Sequence, residues 1–318
     1  MKKILIVLLF VNVLGCDRIE YEEPILQPFV VGFISADSVS PFIIGSTKLT
    51  FSDFVGKIDV GDIKIGDLDS DVSHRFIRND TNPSLYSVDK NFAPVKGGKY
   101  RIQIQTSNSL VSAIDSIPEY SPSFKLLSTS VNVDQATKNE LNIDRTCIIQ
   151  INNNQAKGKC YYELIVYAIE QNPFLGTKGM KLRRNITTST EFITTEDYYP
   201  SSSAVDFNPP STLLFMYPDN APRVLIDFSY RVSVFSRKGK NVSSAHELTV
   251  EVREISFAYY KYKTSFYKQK ATIEGDEIFG GATPVNVFSN VANGTGIFAA
   301  YTASMESKFI EEYEYQPN

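Results

Sequence analysis

Tryptophan is absent from this 318-residue chain, and histidine and cysteine are nearly so, with two and three copies. The shortage of histidine bears on chemistry first. Any mechanism that needs an imidazole base has only His74 and His246 to draw on. Neither lies in an HExxH helix, no GxSxG elbow occurs, and no cysteine and histidine form a local dyad signature. A zinc site is disfavoured on similar ground, because no CxxC pair accompanies the two histidines. Long apolar runs are lacking too: the longest, positions 4–13, falls well short of the ~20 residues that span a bilayer. Nor is there a basic excess. With 32 Lys and Arg against 36 Asp and Glu the chain carries a net charge of −4, which excludes DNA and RNA as partners, since phosphate neutralisation needs clustered cations. No internal repeat or low-complexity block is found.

What is present begins at the amino end. Lys2 and Lys3 precede the apolar run, which stops abruptly at Leu14-Gly15-Cys16; that is the charged, apolar, small-residue order of a secretory signal over 1–15. An apolar residue and a glycine before cysteine resemble the bacterial lipobox, so Cys16 is expected to be acylated and to tie the chain to a membrane. Two or more acyl chains make a stable anchor where one is marginal. Without 1–15 there remain 30 basic against 36 acidic side chains, a net charge of −6. Positions 16–24 are polar and charged and read as a tether. Four carboxylates in it, Asp17, Glu20, Glu22 and Glu23, resemble the surface-export signal of Bacteroidota lipoproteins. Asp directly after the cysteine also resembles the inner-membrane retention signal of enterobacteria.

Tyr and Phe are abundant and lie with β-branched residues in short runs, a composition that favours sheet. The runs 29–34, 62–65, 85–88, 99–106 and 110–117 are separated by Gly, Asn, Asp and Pro. In 100–105 the apolar Tyr100, Ile102 and Ile104 alternate with Arg101, Gln103 and Gln105, as in a half-buried strand. Strands of this density predict an immunoglobulin-like β-sandwich over 25–120. A larger β-rich domain follows over 121–318, with strands at 146–151, 161–169, 213–217, 224–228, 230–235 and 248–255 and a last one at 297–303. One helix is expected after Ile255, where Ile255, Tyr259, Tyr262 and Phe266 recur at helical spacing. That stripe is read as core. Tyr260 and Tyr267 lie on another stripe and stand as the candidate ligand or partner surface.

With Cys16 lipidated, Cys147 and Cys160 form an even pair in an oxidising compartment. The turn-rich 152–155 between them suggests a hairpin that sets them opposite each other. A disulfide is expected there, closing a loop worth on the order of 3 kcal/mol; two buried free thiols are the alternative. Three further patterns are weighed and set aside. Asp67, Asp69 and Asp71 begin like a calcium loop but lack its glycine and its last glutamate. Gly294 and Gly296 precede a strand rather than opening a helix, so a tight turn is the better reading than a phosphate cradle. No cofactor is expected.

The stretches 251–262 (EVREISFAYYKY) and 284–298 (PVNVFSNVANGTGIF), with 160–164 (CYYEL), 98–102 (GKYRI) and 112–118 (SAIDSIP), closely resemble the Bacteroidota envelope lipoprotein family catalogued as domain of unknown function 4249. Thr295 and Ala299 depart from the family's more usual bulkier apolar residue and glycine. The resemblance implies an outer-membrane lipoprotein, often encoded near TonB-dependent receptors, and brings no catalytic residues with it. The expectation is a non-enzymatic accessory lipoprotein, lipid-anchored in the outer membrane, that binds a partner protein or ligand, with a TonB-dependent outer-membrane receptor as the candidate. An envelope hydrolase or carbohydrate-active enzyme with a carboxylate site, and a structural or adhesive surface protein, are the alternatives.

Overall fold

A computed structural model describes residues 27–47, 60–70, 72–107, 109–137, 140–152, 159–171, 177–193, 211–237, 240–279 and 285–315. Cys16, the signal segment and the tether lie outside the described residues, as does Asp71. The described residues among the first 120 positions supply seven strands: β1 (Gln27–Ser35), β2 (Phe42–Thr47), β3 (Val60–Asp67), β4 (Ser73–Arg78), β5 (Leu85–Val88), β6 (Lys99–Thr106) and β7 (Leu110–Ser116). There follow β8 (Ser123–Thr137), β9 (Glu140–Asn152), β10 (Tyr161–Gln171), β11 (Lys178–Arg183), β12 (Ile186–Thr187), β13 (Thr212–Met216) and β14 (Arg223–Val232). The last elements are β15 (Val234–Arg237), β16 (Lys240–Ser243), β17 (His246–Ile255), the helix α1 (Phe257–Phe279), β18 (Thr295–Ile310) and β19 (Tyr313–Tyr315). The chain is mostly β with one helix near its carboxy-terminal end, as its composition and periodicity predict.

Alternation builds two cores. In β6 the side chains of Tyr100, Ile102 and Ile104 turn inward, joining Val30, Ile34, Phe42 and Ile65 in an amino-terminal lobe. In β14 the same period buries Val224, Ile226, Phe228, Tyr230 and Val232. These form the second core together with Ile149 and Ile151 of β9, Leu164 and Val166 of β10, and Val250 and Val252 of β17. That carboxy-terminal lobe is a sandwich: the sheet β12-β14-β9-β8 lies against β11-β10-β17-β18. A small sheet, β15-β16-β19, adjoins it.

One long strand joins the lobes. Residues 295–301 of β18 pair in parallel with β1, from Phe29↔Thr295 to Ser35↔Tyr301, and residues 301–310 pair antiparallel with β17. Phe298 and Ala300 therefore belong to the amino-terminal core. The division expected at residue 120 is crossed by this strand, and the continuous path of strands runs on through β1-β2-β5-β4-β3-β6-β7. Side chains close the stretch of β18's edge that β17 does not reach. Asn290 Oδ1 accepts from the Phe298 N–H (3.0 Å) while its Nδ2 donates to the Phe298 carbonyl (2.7 Å). Asp115 Oδ2 accepts from the Ala300 N–H (2.7 Å). Backbone groups that would otherwise be unpaired are thus satisfied without a further strand.

The disulfide expected between Cys147 and Cys160 is not formed; both are free, buried thiols. No hairpin sets them opposite each other, because β9 pairs with β8 and β14 while β10 pairs with β11, β13 and β17. Burial pushes the Cys147 thiol up to about 12 and the Cys160 thiol up to about 11. Since the thiolate is the nucleophile, both should resist alkylation in the folded protein and react once it is unfolded in urea. A Cys147–Cys160 cross-linked peptide in a non-reduced digest would sink this reading.

Candidate functional site

The helix rises directly from the end of β17, and its start is fixed locally. Ser256 is the cap: its Oγ accepts from the Tyr259 N–H (3.1 Å) and its carbonyl from the Tyr260 N–H (3.0 Å). The Ser256 hydroxyl in turn donates to Asp115 Oδ2 at 2.5 Å. Beyond the helix, the returning chain is pinned to it, as the Val285 N–H donates to Gln269 Oε1 (2.6 Å) and the Phe288 N–H to Ser265 Oγ (2.8 Å).

Between α1 and the sheet lies a cluster of charge. Along β10 the even positions Tyr162, Leu164 and Val166 face the sandwich core, so Glu163 faces the helix. It is fully buried, at 0% exposure, and a buried carboxylate must be paired and hydrogen-bonded. Tyr259 Oη donates to its Oε2 at 2.7 Å and Thr212 Oγ1 to its Oε1 at 3.0 Å. Arg253 Nη1 lies 3.3 Å from Oε2 and Arg183 Nη2 3.5 Å from Oε1. Arg253 also donates through Nε to Glu251 at 2.6 Å and lies 4.6 Å over the Tyr301 ring. The Lys263 ammonium sits among the rings of Tyr259 (5.6 Å), Phe33 (5.8 Å) and Tyr267 (5.8 Å). Burial pushes the Glu163 carboxyl up, but Lys263, Arg253, the Tyr259 hydroxyl and Arg183 outweigh it and hold it below its ordinary value. Burial, with Glu163 beside it, drives the Tyr259 hydroxyl well up, so it stays a donor.

An aromatic surface lies beside this cluster. Tyr161 of β10 packs on Tyr260 (ring centroids 4.8 Å apart) and Phe257 (5.6 Å), and Met216 is its partner across β13. Phe257 is 52% and Met216 43% exposed. Tyr260 is thus half-buried at the edge of an exposed group of apolar side chains. Tyr267 lies apart from it, half-buried between Lys263 and Phe266. The stripe expected to be core is so only at its start: Tyr259 is buried, Tyr262 half-buried and Phe266 42% exposed. Phe266 is instead stacked on Tyr262 at 5.9 Å.

Both histidines make hydrogen-bond or ring contacts within the fold. His246 is buried; its Nδ1 faces the Ser244 carbonyl (3.1 Å), which can only accept, leaving Nε2 to accept from the Tyr230 hydroxyl (2.7 Å). Burial keeps it below its ordinary value and therefore neutral. His74 packs on Phe92. At the aspartate loop the Asp67 carboxylate accepts from the Asp69 N–H (2.9 Å), a turn rather than a ligand set. Among the described residues no three His, Cys, Asp or Glu are grouped to hold a metal, and no helix is long and apolar enough to cross a membrane.

A two-lobed β protein with a helix seated on buried charge is the class that this geometry defines. Four of the stretches quoted for the resemblance, 112–118, 160–164, 251–262 and 284–298, meet around the base of α1 through Asp115, Glu163, Arg253, Tyr259 and Asn290. The chain belongs to the family described as domain of unknown function DUF4249, whose model matches residues 30–307. No curated protein matches it. Among solved structures, a biofilm-associated protein BSP domain aligns at 11% identity over 92% of this chain and 61% of that one, with a TM-score of 0.18. A biofilm-associated protein B domain aligns at 9% identity over 83% and 80%, with a TM-score of 0.16. Neither superposition is close enough to bear on fold or role.

Proposed function

We propose that this chain is a non-enzymatic accessory lipoprotein, anchored in a Bacteroidota outer membrane through acylated Cys16, that uses the Tyr161, Phe257, Tyr260 and Met216 surface to bind a partner protein. The observation that carries the reading is this exposed aromatic group on a helix start that cannot easily move. Tyr, Phe and Met are enriched at the centres of interfaces, and anchors bind best when held in advance. The sequence supports the membrane side of the proposal with the lipobox-like Leu14-Gly15-Cys16. From Cys16 to Gln27 are 11 residue steps, so a fully extended tether holds the body within about 40 Å of the lipid. A carboxylate hydrolase is disfavoured at this site because Glu163 and Glu251 are both committed to Arg253. A TonB-dependent receptor is the partner that the family resemblance suggests.

Membranes from cells carrying the unmodified protein, Cys16→Ser and Phe257→Asp test the proposal together. Aspartate at the first helical position suits the helix dipole, so that variant should fold. The unmodified protein should sediment with the outer membrane and co-purify a TonB-dependent receptor. Cys16→Ser should leave the membrane, and Phe257→Asp should stay in it but lose the receptor. Membrane attachment of Cys16→Ser, or receptor retention by Phe257→Asp, would overturn the corresponding half.

A further inference from the structure

Sheets end in edge strands whose outward backbone groups could pair with another chain, and most of the edges in this fold are closed. On β7 the Ser112 N–H donates to the Ala292 carbonyl (3.2 Å) and the Ser112 carbonyl accepts from the Ala292 N–H (2.8 Å). Asn290 and Asn293 donate through Nδ2 to the Ile114 and Leu110 carbonyls of the same strand. On β14, the Thr188 hydroxyl donates to the Asp227 carbonyl (2.7 Å) and the Thr190 hydroxyl accepts from the Asp227 N–H (3.1 Å). Strand β11 is cationic, with Lys178, Lys181 and Arg183 in its six residues, and β12, β13, β15 and β19 are five residues or shorter. Strand β8 differs. It is a 15-residue edge on which Glu306 Oε2 accepts from the Leu126 N–H (2.8 Å), and among the described residues no group closes the positions beyond. From Leu126 to Thr137 it has no Lys, Arg, Pro or Gly, and Asp134 is its one charge.

We propose that β8 is the edge on which two copies of this chain pair, antiparallel about Val131, joining their four-stranded sheets into one of eight strands. The stretch is complementary to its own copy. Register shifts between Leu126 and Ser128 and between Gln135 and Thr137 bound a regular run, and Val131 lies near its middle. A two-fold axis there sets Val131 opposite Val131, Thr129 opposite Val133, Ser130 opposite Asn132, and Ser128 opposite Asp134 of the second copy. Branched side chains then face branched ones on one side of the sheet and polar groups face polar ones on the other, the kinds of cross-strand pair that stabilise a sheet. The single carboxylate meets a serine rather than its own mate. Val131 is half-buried against the carboxy-terminal core and Val133, on the same face, is half-buried too, so an added strand extends the cover over both. The aromatic group at Phe257 lies on the outer face of the opposing sheet, so this pairing goes beyond the partner surface proposed above and does not depend on it.

Sedimentation of the purified full-length protein in detergent should give the mass of a dimer as its concentration rises to about 100 μM. Ser130 and Asn132 are exposed, so Ser130→Lys with Asn132→Lys should leave the urea midpoint unchanged. The two lysines would face each other twice across the two-fold axis and should raise the dimer dissociation constant about tenfold. Ser130→Glu with Asn132→Lys sets opposite charges there instead and should restore it. Opposed residues of an antiparallel pair have Cα atoms about 4.5–5.5 Å apart, within reach of a disulfide. Val131→Cys should therefore give a disulfide-linked dimer on mild oxidation, while Cys147 and Cys160 stay buried. A monomer mass throughout that range, a dimer indifferent to the lysine pair, or no link in Val131→Cys would overturn the proposal. Loss of a co-purified receptor from the lysine variant, with the unmodified protein monomeric, would overturn it in favour of a receptor strand on the same edge.

Discussion

Glu163→Ala should destabilise the protein by about 3–5 kcal/mol in urea unfolding, the range for removing one partner of a buried ion pair. The reason is less the lost contact than what it leaves behind. Arg253 and Lys263 would be left at the helix–sheet boundary with Glu251 for compensation, and the Tyr259 hydroxyl would lose its acceptor, while Thr212 keeps the Leu164 carbonyl (3.2 Å). Glu163→Gln keeps an acceptor for both hydroxyls and should cost less. Changing Glu163 and Arg253 together to leucine and methionine should recover much of the loss, since well-packed apolar pairs often replace buried ion pairs without penalty. A loss under about 1 kcal/mol in Glu163→Ala, the level of an exposed pair, would show that solvent reaches the cluster.

The same carboxylate sets an acid limit to stability. Its folded value lies below the ordinary 4.5, so its stabilisation is complete above that pH and is lost as pH falls through the lower folded value. Acid thus weakens the seat of α1.

Local pattern made much of this visible in the sequence. The alternation of Tyr100, Ile102 and Ile104 gave a strand with that face inward, and the change of period at Ile255 marked where β17 ends and α1 begins. The charged cluster left a weaker trace: Glu163 interrupts the apolar run of Tyr161 to Val166, and a carboxylate in a strand buried on both faces demands a cation elsewhere. Sequence alone could not say that the cation was Arg253, because cross-strand partners depend on register. Pairing between distant strands was likewise out of reach. The short spacing of Cys147 and Cys160 suggested a hairpin, yet β9 and β10 enter different sheets. Phe266 kept the helical spacing of a core residue but is largely exposed, since periodicity gives the face of a helix and not how far along it the sheet extends.

Gly296→Ala should cost about 3 kcal/mol or more and should uncouple the lobes, whereas Gly45→Ala should be tolerated within about 0.5 kcal/mol. Gly296 has φ +109°, where a side chain is strained. A Cβ there would lie 1.9 Å from the Val30 carbonyl oxygen, while one on Gly45 meets nothing within 4 Å. The clash is with backbone, so no rotamer relieves it; β1 must move away from β18. Seven registered residue pairs join those strands, and Val30, Ile34, Phe298 and Ala300 meet in one core across them. Separation therefore opens the amino-terminal lobe while leaving β10, β14 and β17 of the other sandwich intact. Urea unfolding followed by tyrosine fluorescence and limited proteolysis should show an early transition in Gly296→Ala, with cleavage confined to the first 120 residues. A single transition at the midpoint of the unmodified protein would mean that β1 and β18 part more easily than their register implies, and that the lobes are held together mainly by the contacts around Asp115.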